Sequence, residues 1–312
     1  MKSISQSQDK VWVATFQLVW NDLVSKVIHT PIYFPDGTPA MVKELNRQDF
    51  TTEDLSKESY YKTTKRISSK TRKKIEKGIH KKFNENSDIL DQIDWTPDRH
   101  KYIIYAMLNK DFLFLNEFDK LGQNKFGEIQ TAEYFGIGPN TSEELRNTVE
   151  ILYYNSKDDF AIKLLTQGKD EVYLYKCSAN KPFNILYMDM LKKSTLYKKE
   201  NEIFSAKDEL KVPKMNFFKE TSFEELTDKR IKGTNLYLSK ALETIKFNMD
   251  NKGVELKSEA AIATATCSPE PEAAEPKLFH LDDTFVMFIQ ERTSKRPYFA
   301  LRVYDITNYQ KN

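Results

Sequence analysis

Glycine is scarce in this chain, with 9 in 312 residues. That leaves few sharp turns and argues against a glycine-built phosphate cradle. Cysteine is rarer still. Cys177 and Cys267 are the only two, so a disulfide-stapled scaffold is excluded; one bridge is possible, and two unpaired thiols is the simpler expectation. The four histidines, His29, His80, His100 and His280, are scattered, and none has a second His or Cys at metal-ligand spacing. No metal or cofactor is therefore expected. Nor is there an excess of one charge: 48 Lys+Arg against 46 Asp+Glu give a net +2. Such a balance demands neither a nucleic-acid nor a membrane partner. No run is long and apolar enough to span a bilayer. Met1–Lys10 has no apolar signal core, so the chain as given is expected in the cytoplasm or as a mature secreted form. Gly-x-Ser-x-Gly, His-Glu-x-x-His and Gly-Lys-Ser/Thr motifs are absent too.

What the chain has is core-forming material: 39% hydrophobic residues and 12% aromatics, more than a disordered chain carries. Trp12, Phe16, Val19, Trp20, Leu23 and Val27 recur at three and four, predicting an amphipathic helix over 9–28. Residues 41–94 read as helical and charged, with Ile67, Thr71, Ile75, Ile79 and Phe83 on a four-spaced stripe. Lys70, Arg72, Lys73, Lys74, Lys77 and Lys81 give that segment a basic face. It is a candidate polyanion patch, but aromatics that would stack bases are not interleaved, and a solvated helix face is the favoured reading.

After Trp95-Thr-Pro97 strands dominate. Tyr102–Met107, Phe112–Leu115, Val149–Tyr154, Phe160–Leu165 and Glu171–Lys176 are short and rich in β-branched or aromatic residues. Asp158–Lys176 reads as a hairpin. Ile245–Met249, Phe285–Ile289 and Tyr298–Val303 are further strands. These features predict one mixed α+β domain over 1–312, mainly helical in 1–95 and strand-rich in 96–312. A large, mainly antiparallel sheet is expected, with helices packed around it and an exposed loop at 256–283.

That loop carries the functional argument. Its first half, Ser258-Glu-Ala-Ala-Ile-Ala-Thr-Ala265, is a run of small side chains; its second, Cys267-Ser-Pro-Glu-Pro-Glu-Ala-Ala-Glu-Pro276, holds three prolines and three glutamates. The second half cannot pack as a central strand, because proline lacks the amide donor and unpaired charge resists burial. The first half is β-compatible and small enough to slide between existing strands. A long loop in a compact domain is functional or a flexible linker; here strands flank it on both sides.

Lys252-Gly253 with Ser258-Glu-Ala-Ala-Ile-Ala-Thr264, then Phe285–Glu291 and Arg296–Val303, resemble the hinge and final strands of the serpin family. Val212-Pro-Lys-Met-Asn-Phe217 and Tyr102–Phe118 resemble earlier serpin strands. The resemblance runs over roughly 100–305, with a divergent, reduced N-terminal part. It implies a protease-binding protein and no enzyme. In such a protein a target serine or cysteine protease cleaves an exposed bait, and the cut loop inserts into the main sheet. The alternative is a serpin-like binding or structural module that traps nothing. The resemblance makes Glu255, Lys257, Ser258, Glu259, Ala260, Ala261 and Ala263 the hinge; Lys257 stands where inhibitory hinges have glycine. Counting from both ends places the attacked bond within Pro271, Glu272, Ala273 and Ala274. No Lys or Arg lies between Ser258 and Pro276, so the expected target prefers small or acidic residues and is not trypsin-like.

Overall fold

A computed structural model describes residues 9–97, 101–197, 204–255 and 275–310. In chain order the elements begin with β1 (Lys10–Val13), α1 (Ala14–Leu23), α2 (Ala40–Leu45), β2 (Tyr60–Arg66), α3 (Ser69–Phe83), β3 (Tyr102–Leu108) and β4 (Phe112–Leu113). They continue with β5 (Asp119–Phe126), β6 (Gln130–Ile137), α4 (Glu143–Arg146), β7 (Val149–Ser156), β8 (Asp159–Leu164), β9 (Asp170–Lys176) and α5 (Phe183–Leu196). Last come β10 (Glu209–Pro213), β11 (Met215–Ser222), β12 (Leu242–Met249), β13 (Gly253–Glu255), β14 (Leu278–His280), β15 (Phe285–Glu291) and β16 (Phe299–Val303). The described residues fall into two compact units, one drawn from 1–12, 110–217 and 247–312, the other from 13–109 and 218–246.

The first unit contains a six-stranded sheet in the order β1-β16-β15-β9-β8-β7 and a four-stranded sheet in the order β14-β10-β6-β5. Every residue of β9 and β15 is buried, which is why Glu171–Lys176 and Phe285–Ile289 read as near-continuous apolar runs rather than alternating ones. The β8–β9 hairpin pairs Phe160 with Lys176 and Leu164 with Val172, as its sequence predicts. Over this sheet α5 buries Leu186, Tyr187 and Met190 against Tyr153, Tyr175, Val286 and Phe288. In the other sheet Gly136 has φ +152°, and a Cβ there would meet Leu210 O at 2.0 Å. Only glycine permits β6 and β10 to approach so closely.

In the second unit α1 places Trp20 and Leu23 in a core with Val24, Ile28, Ile32, Phe34, Val42 and Leu45. The helix expected over 9–28 is shorter: 10–13 form β1 and Val24–Ile28 a π-helical turn ending at His29 with φ 64°. Trp12 and Val13 belong to a strand because their β-branched and aromatic neighbours find a sheet edge. The charged stretch 41–94 is also not one helical region. Tyr60–Arg66 pair antiparallel with β3 from Tyr60↔Leu108 to Arg66↔Tyr102. The helix proper begins after Ser68, whose Oγ accepts from Thr71 N at 3.1 Å, and it stops at Asn84 in the left-handed region. Ile75 and Ile79 face Ile67, Leu90, Ile103 and Tyr105, so the four-spaced apolar stripe lines one core although Ile67 lies outside the helix.

A second four-stranded sheet, in the order β11-β12-β13-β4, positions the candidate site.

Candidate functional site

The segment that precedes the small-residue run is a hairpin. Asp250 N donates to Gly253 O at 3.1 Å and Lys252 N to Asp250 Oδ1 at 2.8 Å, so the chain reverses over Asn251 and Lys252. Asn and Asp favour such reversals because their short side chains bond nearby amides. β13 then runs between β12 and β4. It pairs antiparallel with both: Asn248↔Glu255 and Met249↔Val254 on one side, Gly253↔Leu113 and Val254↔Phe112 on the other. A Cβ at Gly253 would lie 2.4 Å from Phe112 O; this is the close backbone approach that fixes glycine here.

The turn is clamped from the β4 side. Phe114 N donates to Lys252 O at 2.9 Å and Phe118 N to Asn251 O at 2.8 Å, while the buried Asn251 side chain donates to Glu117 Oε1 at 2.6 Å. Phe114, Phe118 and Phe135 pack as an aromatic trio with centroids 5.1–5.9 Å apart. Just before β4, Lys110 is buried with Asp170 and Glu291. Its Nζ donates to Asp170 Oδ1 at 2.7 Å and also to Glu291 Oε1. Tyr298 Oη donates to the same Asp170 oxygen at 2.9 Å. Burial, with Asp170 beside it, pushes the Tyr298 phenol well above its usual range.

Beyond the loop the chain is held on a different sheet. Glu275 and Pro276 are exposed. Lys277 N donates to Asp208 Oδ1 at 2.7 Å, and Ser205 N to Asp208 Oδ2 at 2.8 Å, so one buried carboxylate satisfies two amides. β14 pairs parallel with β10 at Glu209↔Leu278, Leu210↔Phe279 and Lys211↔His280. His280 Nε2 lies 3.0 Å from Glu209 Oε2. Burial and Lys211 lower the His280 pKa, with Glu209 and Asp282 opposing.

Of the expected hinge residues, Glu255 ends β13. Lys257, Ser258, Glu259, Ala260, Ala261 and Ala263 lie outside the described residues, as do Pro271, Glu272, Ala273, Ala274 and Cys267. The loop expected over 256–283 is shorter at its far end, because Leu278–His280 find backbone partners on β10 and become a strand. Cys177 is buried and unpaired. Among the described residues no group of three His, Cys, Asp or Glu side chains could hold a metal, and no helix is long and apolar enough to cross a membrane.

The basic face of α3 exposes Lys70, Lys73, Lys74, Lys77 and Lys81. Arg72 turns instead to Glu76 Oε1 at 2.8 Å and to Asp91. On β2, Lys62 Nζ bonds Asp22 Oδ1 at 2.6 Å, so this lysine neutralises a buried acid. Burial alone would raise the Asp22 pKa; the bonds from Lys26 and Lys62 outweigh it and hold the carboxyl below its usual value. Lys110, Asp170, Glu291 and Asn251 were missed from the sequence. No local spacing joins them, and the Lys110–Glu291 contact spans 181 positions.

Residues 201–306 match the family described as Serpin (serine protease inhibitor). Three solved structures are similar over most of the chain. Serpin48, a highly specific serpin of the insect Tenebrio molitor, has a TM-score of 0.50 and 13% identity over 96% of this chain and 92% of its own. Tengpin, a thermophilic serpin in its native state, has a TM-score of 0.50 and 14% identity over 97% and 90%. Glycosylated human kallistatin has a TM-score of 0.50 and 11% identity over 96% and 92%. No curated protein matches the chain.

Proposed function

From the serpin fold of this chain, and the match of its residues 201–306 to the Serpin family, we propose that it is a protease-binding protein whose bait lies between β13 and β14. The observation that carries the reading is β13. Glu255, the first residue of the expected hinge, ends a strand that runs between β12 and β4, and the small-residue run follows shortly after it in sequence. A cut chain extending β13 would add ladder hydrogen bonds beside β12, the thermodynamic drive of strand addition. Ser258, Ala260, Ala261 and Ala263 have side chains small enough to enter without displacing neighbours.

In this reading Glu272–Ala273 and Ala273–Ala274 are the favoured scissile bonds. Proline removes the amide at Pro271 and Pro276 and restricts the residues before them. The target's nucleophile attacks the carbonyl of the peptide bond after a small or acidic residue, and the amine of the following residue leaves. The protein supplies bait and strand; the attacking nucleophile belongs to the protease, so no catalytic residue is assigned to this chain.

Incubation with an elastase-like and a glutamyl protease tests this. A complex that survives SDS, with a large rise in melting temperature after loop cleavage, is expected. Clean cleavage with neither would establish the alternative, a serpin-like binding module without trapping. Lys257 at the hinge favours that alternative, because a lysine restricts the backbone and keeps its ammonium in water.

A further inference from the structure

One side of α3 and the segment that follows the helix enclose a cleft of about 430 Å³, within the range of small-molecule sites. Its construction is local. The chain leaves α3 at Asn84, in the left-handed region, and residues 86–91 supply the second wall. Two bonds hold that wall in place. Trp95 Nε1 donates to Leu90 O at 2.8 Å, and Tyr105 Oη donates to Ser87 Oγ at 3.2 Å. Ile79 and Leu90, both almost fully buried, give the cleft an apolar floor.

The polar groups around that floor are unequally occupied. Both acids are spent on one cation: Arg72 Nε lies 2.8 Å from Glu76 Oε1, and Arg72 Nη2 bonds Asp91. The donors are not spent. The side chains of Lys77 and His80 on α3, and of Asn86 opposite, have no hydrogen bond or ion pair among the described residues. Ser87 Oγ accepts from Tyr105 Oη and from Ile89 N at 3.3 Å. Both of its lone pairs are then taken, and its own proton has no acceptor among the described residues.

We propose that this cleft binds a small organic carboxylate, its flat apolar body on Ile79 and Leu90 and its oxygens on the donors of Lys77, His80 and Ser87.

A neutral acceptor would use the same donors, but an ionised one makes the stronger, charge-assisted bond to the Lys77 ammonium. A cationic ligand would find both acids already engaged by Arg72. Asp91 is the resident competitor. Its side chain is 82% exposed, and an ion pair so open to water is held weakly. With Asp91 removed, the Arg72 guanidinium gains a free donor that suits a carboxylate. Nothing in the site involves the bait or a protease, so it stands or falls apart from the trapping reading.

Titration of the full chain with naphthoate, followed through its amide ¹H–¹⁵N signals, tests the site. Saturable shifts centred on Ile79, His80, Ser87 and Leu90 are expected. Naphthamide, which has the same body without the charge, should bind about tenfold more weakly. Equal binding of the two, or no saturable shift at these residues, would overturn the proposal. Lys77→Gln should weaken naphthoate binding about tenfold, as loss of a charged hydrogen bond does. Lys73→Gln, on the same helix but outside the cleft, should leave the affinity unchanged; equal loss in both variants would reduce the effect to general charge and overturn the assignment. Asp91→Asn should tighten binding about threefold, the worth of an exposed ion pair. A misfolded variant cannot produce that gain, and unchanged or weaker binding there would overturn the proposal.

Discussion

Lys110 Nζ lies 2.7 Å from Asp170 Oδ1, and both residues are buried. A second acid, Glu291, shares the ammonium, and the Tyr298 ring lies 4.7 Å beneath it. The ammonium precedes β4, the strand that pairs with β13, and its partners come from β9 and β15. Charges this deep are tolerated only when each is met by its opposite.

Lys110→Met keeps the stem and removes the charge, leaving Asp170 and Glu291 facing one another. A loss of about 3–5 kcal/mol is expected, because breaking a buried pair strands its partners. Denaturant unfolding reads it. The triple change Lys110→Met, Asp170→Asn, Glu291→Gln should recover part of the loss, whereas no recovery would point to packing rather than charge.

Gly253→Ala places a methyl 2.4 Å from Phe112 O. Backbone has no rotamer to yield with, so β13 must shift from β4 at a cost of about 1–3 kcal/mol. The melting temperature should fall, and the Phe114 amide, which bonds Lys252 O, should exchange faster. An unchanged melt and unchanged exchange would show that the two strands are not so close.

His280 should destabilise the fold in acid. Its folded pKa is lowered by burial and Lys211, so the unfolded chain takes the proton first. Stability from this group is complete above the unfolded value near 6.5 and is lost as pH falls below it. Melts at pH 7.5 and 5.5 should show a smaller drop for His280→Gln than for wild type. Glu243 changes stability with the opposite sign, rising as pH falls from about 7 toward 4.5. The difference between the two proteins, not the wild-type curve alone, isolates His280.

Lys73→Glu with Lys77→Glu reverses two exposed charges on α3. As a solvated face, this pair should change stability by no more than about 0.5 kcal/mol per site and leave elution from a sulfated resin at low salt. Steep salt dependence in the wild type that flattens in the variant would instead establish the polyanion face.

Much of the strand framework could be read directly. Phe160–Leu164 and Val172–Lys176 declare a hairpin because both faces are covered and the connecting Gln167-Gly-Lys-Asp170 is turn chemistry. Asp119–Phe126 does not declare itself: seven of its eight residues lie outside the core, so Lys-Leu-Gly-Gln-Asn-Lys carries no apolar period. Tyr60–Arg66 is hidden for a related reason. Its lysines blend with those of α3 in sequence, and only the pairing with β3 and the contact of Lys62 with Asp22 separate them. The residues that hold the chain on either side of the expected loop do not declare themselves. Asn251, Glu117, Phe112 and Asp208 are ordinary residues whose roles exist only once distant strands meet.

The anchoring of β14 beside β10 has a consequence for any severed form of the molecule. The piece after the cut would carry β14, β15 and β16, and β15 is hydrogen-bonded to β9 along its whole length. Denaturing gels would resolve two polypeptides, while gel filtration would return one particle. Recombining the two separately expressed pieces would be a route to the same particle.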